Sequence, residues 1–400
     1  MLFQGGFLMN LVTGQFSESF PPIMDGVGNV AKNYAYWLNK KYGTGYVVTP
    51  DYPRYVDNTD FRVLRYNSVG VITRYPYRTG IPNLDPVFMR AVRKVPFDIV
   101  HAHTPFSSGR IALDTARKRN IPIIASFHSK YYDDFLESFK LERIARFGVS
   151  KIIEFYNSVD AVWTVNNSTA KTLREYGFKG PIEVMQNGIE YEPPENKASD
   201  RMMVNRKLKL NESELVFIYV GQMVWQKNTR VLLESLSILK NKGLDFKMLM
   251  VGEGYALGEL KTLAKELGIG NSVLFLGNIE DRDYLRTLYC RADFLLFPSL
   301  YDTFSLVVRE AASQGCPALL IEDSNAAEGV TDEVNGILTE NGPENIAARV
   351  LKALETPGLL KKVGENANKS LYVNWETVVD RVYKRYLEIV RTYKRVHACN

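Results

Sequence analysis

Pro298-Ser299-Leu300-Tyr301-Asp302-Thr303-Phe304-Ser305-Leu306-Val307-Val308-Arg309-Glu310-Ala311-Ala312-Ser313-Gln314-Gly315-Cys316-Pro317 is the stretch from which the fold of this chain is read. Just ahead of it, Phe294 to Phe297 is an unbroken apolar run, the pattern of a buried parallel strand. The run stops at Pro298-Ser299, and Phe304 to Ser313 has the composition of a helix opening after a polar loop. Asp302 and Glu310 bracket that turn. A carboxylate in a strand-to-helix loop and a second about two helical turns further on can offer charge-assisted acceptors to a polyhydroxylated ligand. Sugar and ribose hydroxyls fit; a capped helix with one solvated acid is the plainer alternative.

Outward from this stretch the same unit recurs. Leu215 to Val220 reads as a strand, Gly221 to Lys227 as a loop, and Arg230 to Leu239 as a helix with Val231, Leu232, Leu236 and Leu239 on one face. Lys247 to Val251, Val273 to Leu276 and Ala318 to Ile321 are further strands, and Gly252-Glu253-Gly254 and Gly277-Asn278-Ile279 follow the first two. The first half has the same alternation. A strand at Leu8 to Val12 leads through a polar loop to Asp25-Gly26-Val27-Gly28-Asn29, and the helical spacing starts at Val30. Strands follow at Tyr46 to Thr49, Phe61 to Tyr66, Phe97 to His103, Pro122 to Ser129 and Ala161 to Val165. Alternating strands and helices imply right-handed parallel sheets, here two doubly wound ones. Val69 to Pro82 and Tyr191 to Arg206 have no regular period and read as a loop and an interdomain linker.

Glycines after a strand let a backbone approach a ligand, and free amides at a helix N-terminus favour anions. Gly26 and Gly28 are placed for both, although the third glycine of a dinucleotide fingerprint is missing. His101, His103 and His128 fall at strand ends, without nearby cysteines or i,i+4 pairing, so a metal site is not indicated. His101 reads as a core histidine with its hydrogen bonds satisfied. Asp281-Arg282-Asp283 opens a helix and reads as a cap. Trp375 to Val396 carries an apolar stripe of Val378, Val382, Tyr386, Ile389, Val390 and Tyr393 beside six basic residues, so it either packs on the protein or lies on a membrane surface.

The opening stretch resembles the acidic signature of retaining GT-B glycosyltransferases (family 4, group 1). There two glutamates eight positions apart flank a Gly-Phe-Gly-Leu loop before Glu-Ala-x-x-x-Gly-x-Pro. Asp302 stands for the first glutamate, Thr303 and Ser305 for the glycines, and Phe304, Leu306, Glu310, Ala311, Gly315 and Pro317 match. Gly221 to Asn228 resembles the Gly-Arg-Leu-x-x-x-Lys-Gly loop of the same family; Lys227 matches, Gln222 replaces the arginine and Asn228 the glycine. Asn325 also stands where a glycine is usual, and Asn187-Gly188-Ile189 resembles the turn closing the first domain. The likeness runs from about Leu8 to Val396.

The resemblance implies two Rossmann-like domains facing a cleft. They would be residues 1–190 on the acceptor side and 207–374 on the nucleotide-sugar side, with a helix over 375–400 crossing back to the first. It implies a nucleotide-sugar donor, most simply a UDP-sugar, no metal or other cofactor, and a lipid or glycan acceptor. Lys227 would hold the diphosphate, aided by Gly26, Gly28 and the turn of Thr303, Phe304, Ser305 and Leu306. Glu310 would take ribose hydroxyls, Asp302 sugar hydroxyls, and His128 would sit over the hexose. Gln222, Gly252, Gly254 and Ile279 complete the expected donor site. A neutral Gln222 cannot replace a guanidinium's charge and fork. That departure, with Asp302 and the missing glycines, keeps a non-catalytic GT-B subunit open; a second rival, a nucleotide-sugar epimerase on the same fold, would need acid/base groups around the sugar's C2, which are not identified.

Composition sets the remaining bounds. Four hundred residues at 46% apolar content can bury large cores. No apolar run approaches the roughly 18 to 20 residues that cross a bilayer. Cys290, Cys316 and Cys399 lack paired spacing, which fits a reducing compartment and a cytoplasmic protein. Met1 to Leu8 lacks the basic start of a signal peptide, and Leu2-Phe3-Gln4-Gly5 looks like a protease-site scar, so a native start near Met9 is expected. Residues 1–190 carry 23 Lys and Arg against 17 Asp and Glu, while residues 191–400 carry 27 against 28. The basic first half suits contact with anionic lipid as well as ordinary solvation, and no feature points to nucleic acid.

Overall fold

The structure, a computed structural model, describes residues 10–397 apart from Met24, Thr44, Ile72, Thr73, Tyr75 and Thr303. Its contacts gather the chain into two units, one reaching to Asn187 and resuming at Trp375, the other from Gly188 to Asn374. In the first unit, β1 (Thr13–Phe16), α1 (Gly26–Tyr42), β2 (Gly45–Pro50) and β3 (Arg62–Tyr66) come first. A short antiparallel pair, β4 (Val69–Gly70) and β5 (Arg78–Thr79), precedes α2 (Pro86–Lys94), β6 (Ile99–Ala102), α3 (Ser107–Arg119) and β7 (Ile123–Phe127). Then come α4 (Tyr131–Phe139), α5 (Glu142–Tyr156), β8 (Ala161–Thr164), α6 (Asn167–Glu175) and β9 (Glu183–Val184). Seven parallel strands lie in the order β3-β2-β1-β6-β7-β8-β9.

The second unit opens with α7 (Lys197–Leu208), β10 (Val216–Val220), α8 (Thr229–Asn241), β11 (Lys247–Val251) and α9 (Leu257–Glu266). It continues through β12 (Val273–Gly277), α10 (Arg282–Arg291), β13 (Phe294–Phe297), α11 (Leu306–Ser313) and β14 (Ala318–Ile321). It closes with β15 (Ile337–Thr339), α12 (Pro343–Glu355) and α13 (Leu359–Ser370), and the chain then returns to the first unit as α14 (Trp375–His397). Its six parallel strands lie in the order β12-β11-β10-β13-β14-β15. Both sheets therefore reverse direction beside their first strand, between β1 and β6 and between β10 and β13. Open α/β sheets bind ligands at such reversals, beyond the carboxyl ends of the strands. The loops there are Ser17 to Asp25 and His103 to Phe106 in one unit, and Gly221 to Asn228 and Pro298 to Ser305 in the other.

The apolar runs do what their pattern predicts. All five residues of β10 and all four of β13 are buried in the second unit's core, because a parallel strand is covered on both faces. Several boundaries differ from the sequence reading. Strand β1 starts at Thr13, after the expected Leu8 to Val12 run; Asn10 to Val12 are not strand, and Leu8 and Met9 lie outside the described residues. Helix α1 starts at Gly26, four residues before its apolar spacing, because the Asp25 carboxylate caps the Gly28 amide at 2.7 Å. Most of the expected linker is helix. Val204 is the one buried residue among those described in α7, and the helix is held by ion pairs, Arg286 to Asp200 at 2.7 Å and Arg201 to Asp293 at 3.1 Å. Its apolar period is therefore nearly absent.

Helix α14 is part of the first unit. Val378, Val382, Tyr386, Ile389 and Val390 are buried, Tyr383 stacks on Tyr42 with ring centres 3.6 Å apart, and Arg385 pairs with Glu183 at 2.7 Å. Its apolar stripe is used by the protein and is not a membrane face. Among the described residues no helix is long and apolar enough to cross a membrane.

Candidate functional site

The second unit gathers most of the candidates at its strand ends. Lys227, at the end of a short 3-10 turn after β10, donates to an Asp302 carboxylate oxygen at 2.9 Å and to the Tyr301 carbonyl at 2.7 Å. Ser299 donates to the same carboxylate oxygen at 2.7 Å, and the Asn325 side chain donates to the Asp302 carbonyl at 2.8 Å. The two side chains are only 14% and 15% exposed, so this ion pair is a fixed part of the loop. Sequence reading placed Lys227 and Asp302 in one site but did not foresee that they bind each other. Thr303 lies outside the described residues.

Two substitutions for family glycines have a backbone reason. Asn228 has φ 59° and Ser305 φ 48°, the left-handed region where glycine is free and asparagine is the best-tolerated alternative. Asn228 secures its conformation through side-chain bonds to the Pro298 carbonyl at 3.2 Å and to Asn341 at 2.8 Å. Ser305 is buried and flanks the N-terminus of α11, and its hydroxyl has no hydrogen-bond partner among the described residues. Such an orphan donor beside unsatisfied helix amides is suited to an incoming anion or hydroxyl.

Glu310 sits one helical turn inside α11 and is 8% exposed. Arg282 reaches one of its oxygens at 2.6 Å and the Tyr289 hydroxyl donates to the other at 3.0 Å. A carboxylate has about four acceptor positions, so lone pairs remain for a ligand. Asp281 is the expected cap, accepting the Tyr284 amide at 3.0 Å. Arg282 was missed because its partner lies 28 residues away and neither periodicity nor local charge pattern connects them.

Other candidates serve structure through their side chains. Phe304 is buried under the Arg309 guanidinium at 4.6 Å, and Leu306 and Ile279 pack against the second unit's core. Arg309 donates to the Glu328 carbonyl at 2.9 Å, and burial lowers its pKa to about 10. It is therefore committed to the 325–328 turn and is not a spare cation for phosphate. Gly252 and Gly254 are required by close backbone approach, since a Cβ would lie 2.0 Å from the Gly221 carbonyl and 2.4 Å from the Met223 carbonyl. They seat the loop that carries Lys227. Gln222 is exposed, and its backbone carbonyl accepts from the Tyr219 hydroxyl at 3.1 Å.

Gly26, Gly28 and His128 belong to the first unit. The Gly28 amide is already used by Asp25, whose other oxygen accepts from Tyr77 at 2.8 Å. A carboxylate at this helix start repels an anion, so the expectation that the Gly28 amide holds phosphate is corrected. His128 follows β7 directly and is 8% exposed; burial lowers its pKa to about 4, so it is neutral near pH 7. His101 is a core residue as expected, bonded to Tyr386 at 2.6 Å and to Ser126 at 2.8 Å. The buried acid Glu18, absent from the sequence reading, accepts from Thr104, from Ser107 at 2.8 Å and from the Ser108 amide at the start of α3. Burial raises its pKa above the usual carboxylate range, and these donors offset only part of the rise.

Comparison with known proteins covers both units. Residues 24–192 match the family model described as Glycosyltransferase Family 4, and residues 201–370 match Glycosyl transferases group 1. The chain is 25% identical over 391 residues to the alpha-monoglucosyldiacylglycerol synthase of Streptococcus pneumoniae, covering 94% of this chain and 86% of that protein. It is 23% identical over 368 residues to the synthase of the same name from Acholeplasma laidlawii, covering 89% and 92%. Among solved structures, Anabaena Alr3699/HepE in complex with UDP and glucose superposes with a TM-score of 0.73 at 16% identity, over 94% of this chain and 99% of that one.

Proposed function

The chain belongs to the GT-B glycosyltransferases of family 4 and group 1, and from that premise we propose that it transfers a hexose from a UDP-sugar to a lipid or glycan acceptor. Transfer would retain the anomeric configuration and use no divalent cation. The observation that carries this reading is the fixed Lys227–Asp302 pair at 2.9 Å beside the α11 loop. When the bond from the sugar C1 to the diphosphate breaks, negative charge grows on the departing oxygen. Lys227 and the α11 amides are the preorganised groups that stabilise it. The new bond joins C1 to the acceptor oxygen, and the acceptor proton leaves with the diphosphate. Glu310 would accept ribose hydroxyls, and His128, being neutral, would offer the sugar a hydrogen bond and no charge. The name of the Streptococcus pneumoniae relative favours a glyceride acceptor, and the Anabaena neighbour favours UDP.

The direct test is a thermal-shift panel of UDP-, GDP-, ADP- and dTDP-sugars. A ligand of the native state raises the melting temperature, by about 2.7 kcal/mol of stabilisation at a hundredfold excess over its dissociation constant. UDP-sugars should give the largest shift, and a larger shift with another base would replace UDP in the proposal. Glu310→Gln should weaken UDP binding by about 1.5 to 3 kcal/mol, the worth of a hydrogen bond to a charged group. Unchanged UDP affinity in the folded variant would remove Glu310 from the site.

A lipid acceptor also suits the surface of the first unit, which holds 29 Lys and Arg against 19 Asp and Glu. At the turn between α4 and α5, Phe139, Leu141, Ile144 and Phe147 are exposed, with Lys140, Arg143 and Arg146 among them. Apolar side chains ringed by cations are how proteins rest on anionic membranes. The pair Ile144→Ser and Phe147→Ser should lower binding to vesicles of phosphatidylglycerol in phosphatidylcholine at least about tenfold, since each buried side chain contributes about 1.5 to 3 kcal/mol. Equal binding by parent and variant would take this turn out of the account.

A further inference from the structure

His101, His103 and His128 are links in one buried hydrogen-bond chain that ends on the C-terminal helix. His128 Nε2 lies 3.3 Å from His103 Nδ1, and His103 Nε2 lies 2.9 Å from the Gln15 side-chain oxygen. The Gln15 amide nitrogen donates to the Tyr386 hydroxyl at 3.4 Å. That hydroxyl lies 2.6 Å from His101 Nδ1, and His101 Nε2 lies 2.8 Å from the Ser126 hydroxyl. Gln15, His101, His103 and Tyr386 are fully buried, and the chain reaches its most exposed member, at 8%, in His128. Tyr386 is clamped by stacking on Trp163, with ring centres 5.7 Å apart.

The donors in this chain are not independent. Gln15 gives its nitrogen to Tyr386, so its oxygen must accept, and His103 must carry a proton on Nε2. A neutral imidazole with Nε2–H has a bare Nδ1, which can only accept from a proton on His128 Nε2. On the other side, the single hydroxyl proton of Tyr386 goes to His101 Nδ1, and His101 Nε2–H then donates to Ser126. Burial lowers the pKa of all three histidines, so each stays neutral and must choose one tautomer. Reversing any one link would need the Gln15 amide and every ring to switch together in a low-dielectric interior, where networks of this kind are cooperative.

We propose that Gln15 and Tyr386 are positioning residues that act through His103 to hold His128 as its Nε2–H tautomer, leaving His128 Nδ1 as the acceptor for a sugar hydroxyl. The C-terminal helix thereby sets the chemical state of a residue on β7's tip. The ligand part of this statement rests on the assignment of His128 to the sugar; the tautomer part stands on the chain of bonds alone.

The test uses the full chain labelled with nitrogen-15 at histidine, which has four such residues, with His128→Asn identifying the signal of interest. Long-range proton–nitrogen spectra at neutral pH read each tautomer. The parent should show His128 protonated at Nε2 alone. Tyr386→Phe keeps the stacked ring but removes the hydroxyl, so Gln15 is free to turn and His103 and His128 should show mixed tautomers. Gln15→Met, close in shape, should do the same by a separate cut in the chain. Turnover should fall about tenfold or more in both, with donor KM within about twofold, because the sugar contact and not nucleotide binding is disturbed. An unaltered His128 tautomer in both variants overturns the proposal, whatever happens to activity. An altered tautomer with parental turnover supports the chain of bonds and removes His128 from the transfer reaction.

Discussion

Replacing Lys227 with alanine is expected to lower turnover by about two to three orders of magnitude, the usual effect of removing one preorganised stabiliser of a developing charge. The size follows from what surrounds it. Its family position is normally seconded by an arginine, but this chain has Gln222 there, exposed and uncharged. Arg230, three residues after Lys227, lies over the Trp225 ring, and Arg309, on α11, is buried and committed to the Glu328 carbonyl. Arg282 is committed to Glu310 at 2.6 Å. Lys227 is paired too, but the Tyr301 carbonyl and Asp302 take two of its three ammonium donors, which leaves one for a diphosphate oxygen. Its removal should not unfold the protein, because the Asp302 carboxylate keeps Ser299 and the side chain is near enough to solvent to be hydrated. Measuring kcat beside the melting temperature separates the two effects. Parental kcat in a stable Lys227→Ala protein would show that the leaving group is stabilised elsewhere.

The second large effect is a non-additivity. Asp302→Asn should lower turnover at least about tenfold, yet the double variant with Lys227→Ala should be no slower than Lys227→Ala alone. One Asp302 oxygen accepts from both Lys227 and Ser299, so its first consequence is to aim the ammonium. Once the ammonium is gone, there is nothing left to aim. Side chains in direct contact couple by about 0.5 to 3 kcal/mol in such cycles, whereas independent groups add within a few tenths. Sequence alone suggested that Asp302 touches the sugar by itself, and additive losses in the cycle would restore that assignment. The aspartate is one methylene shorter than the family's glutamate, which suits a carboxylate that ties its own loop to Lys227.

These two residues also mark what could be read without coordinates. Parallel strands covered on both faces leave continuous apolar runs, so β10, β11, β13 and β14 and the doubly wound order were plain from Val216 to Val220 and its repeats. Motif residues at strand ends were legible for the same reason, since their positions are tied to those runs. Contacts between loops were not. Lys227 and Asp302 are 75 positions apart, and their bond depends on how two neighbouring strands deliver their loops. Helix α7 escaped notice because ion pairs hold it where an apolar stripe would have announced it. Gly28 misled in the opposite direction: its type suggested an open amide, but Asp25, three residues earlier, takes that amide as a cap. Tyr386 was read as one more apolar position of a terminal stripe, and its hydroxyl acquires meaning only beside Gln15 and His101.

The measurement closest to the central claim is the proton spectrum of the product made from UDP-α-sugars. UDP-glucose, UDP-galactose and UDP-N-acetylglucosamine would each be supplied with diacylglycerol in phosphatidylglycerol-containing vesicles, and the anomeric coupling of the new glycoside read directly. The account predicts a glycolipid whose anomeric proton has the small coupling of an α-linkage, formed with metal chelator present and lost in Lys227→Ala. A β-linked product, or transfer that stops when divalent cations are chelated, would contradict it.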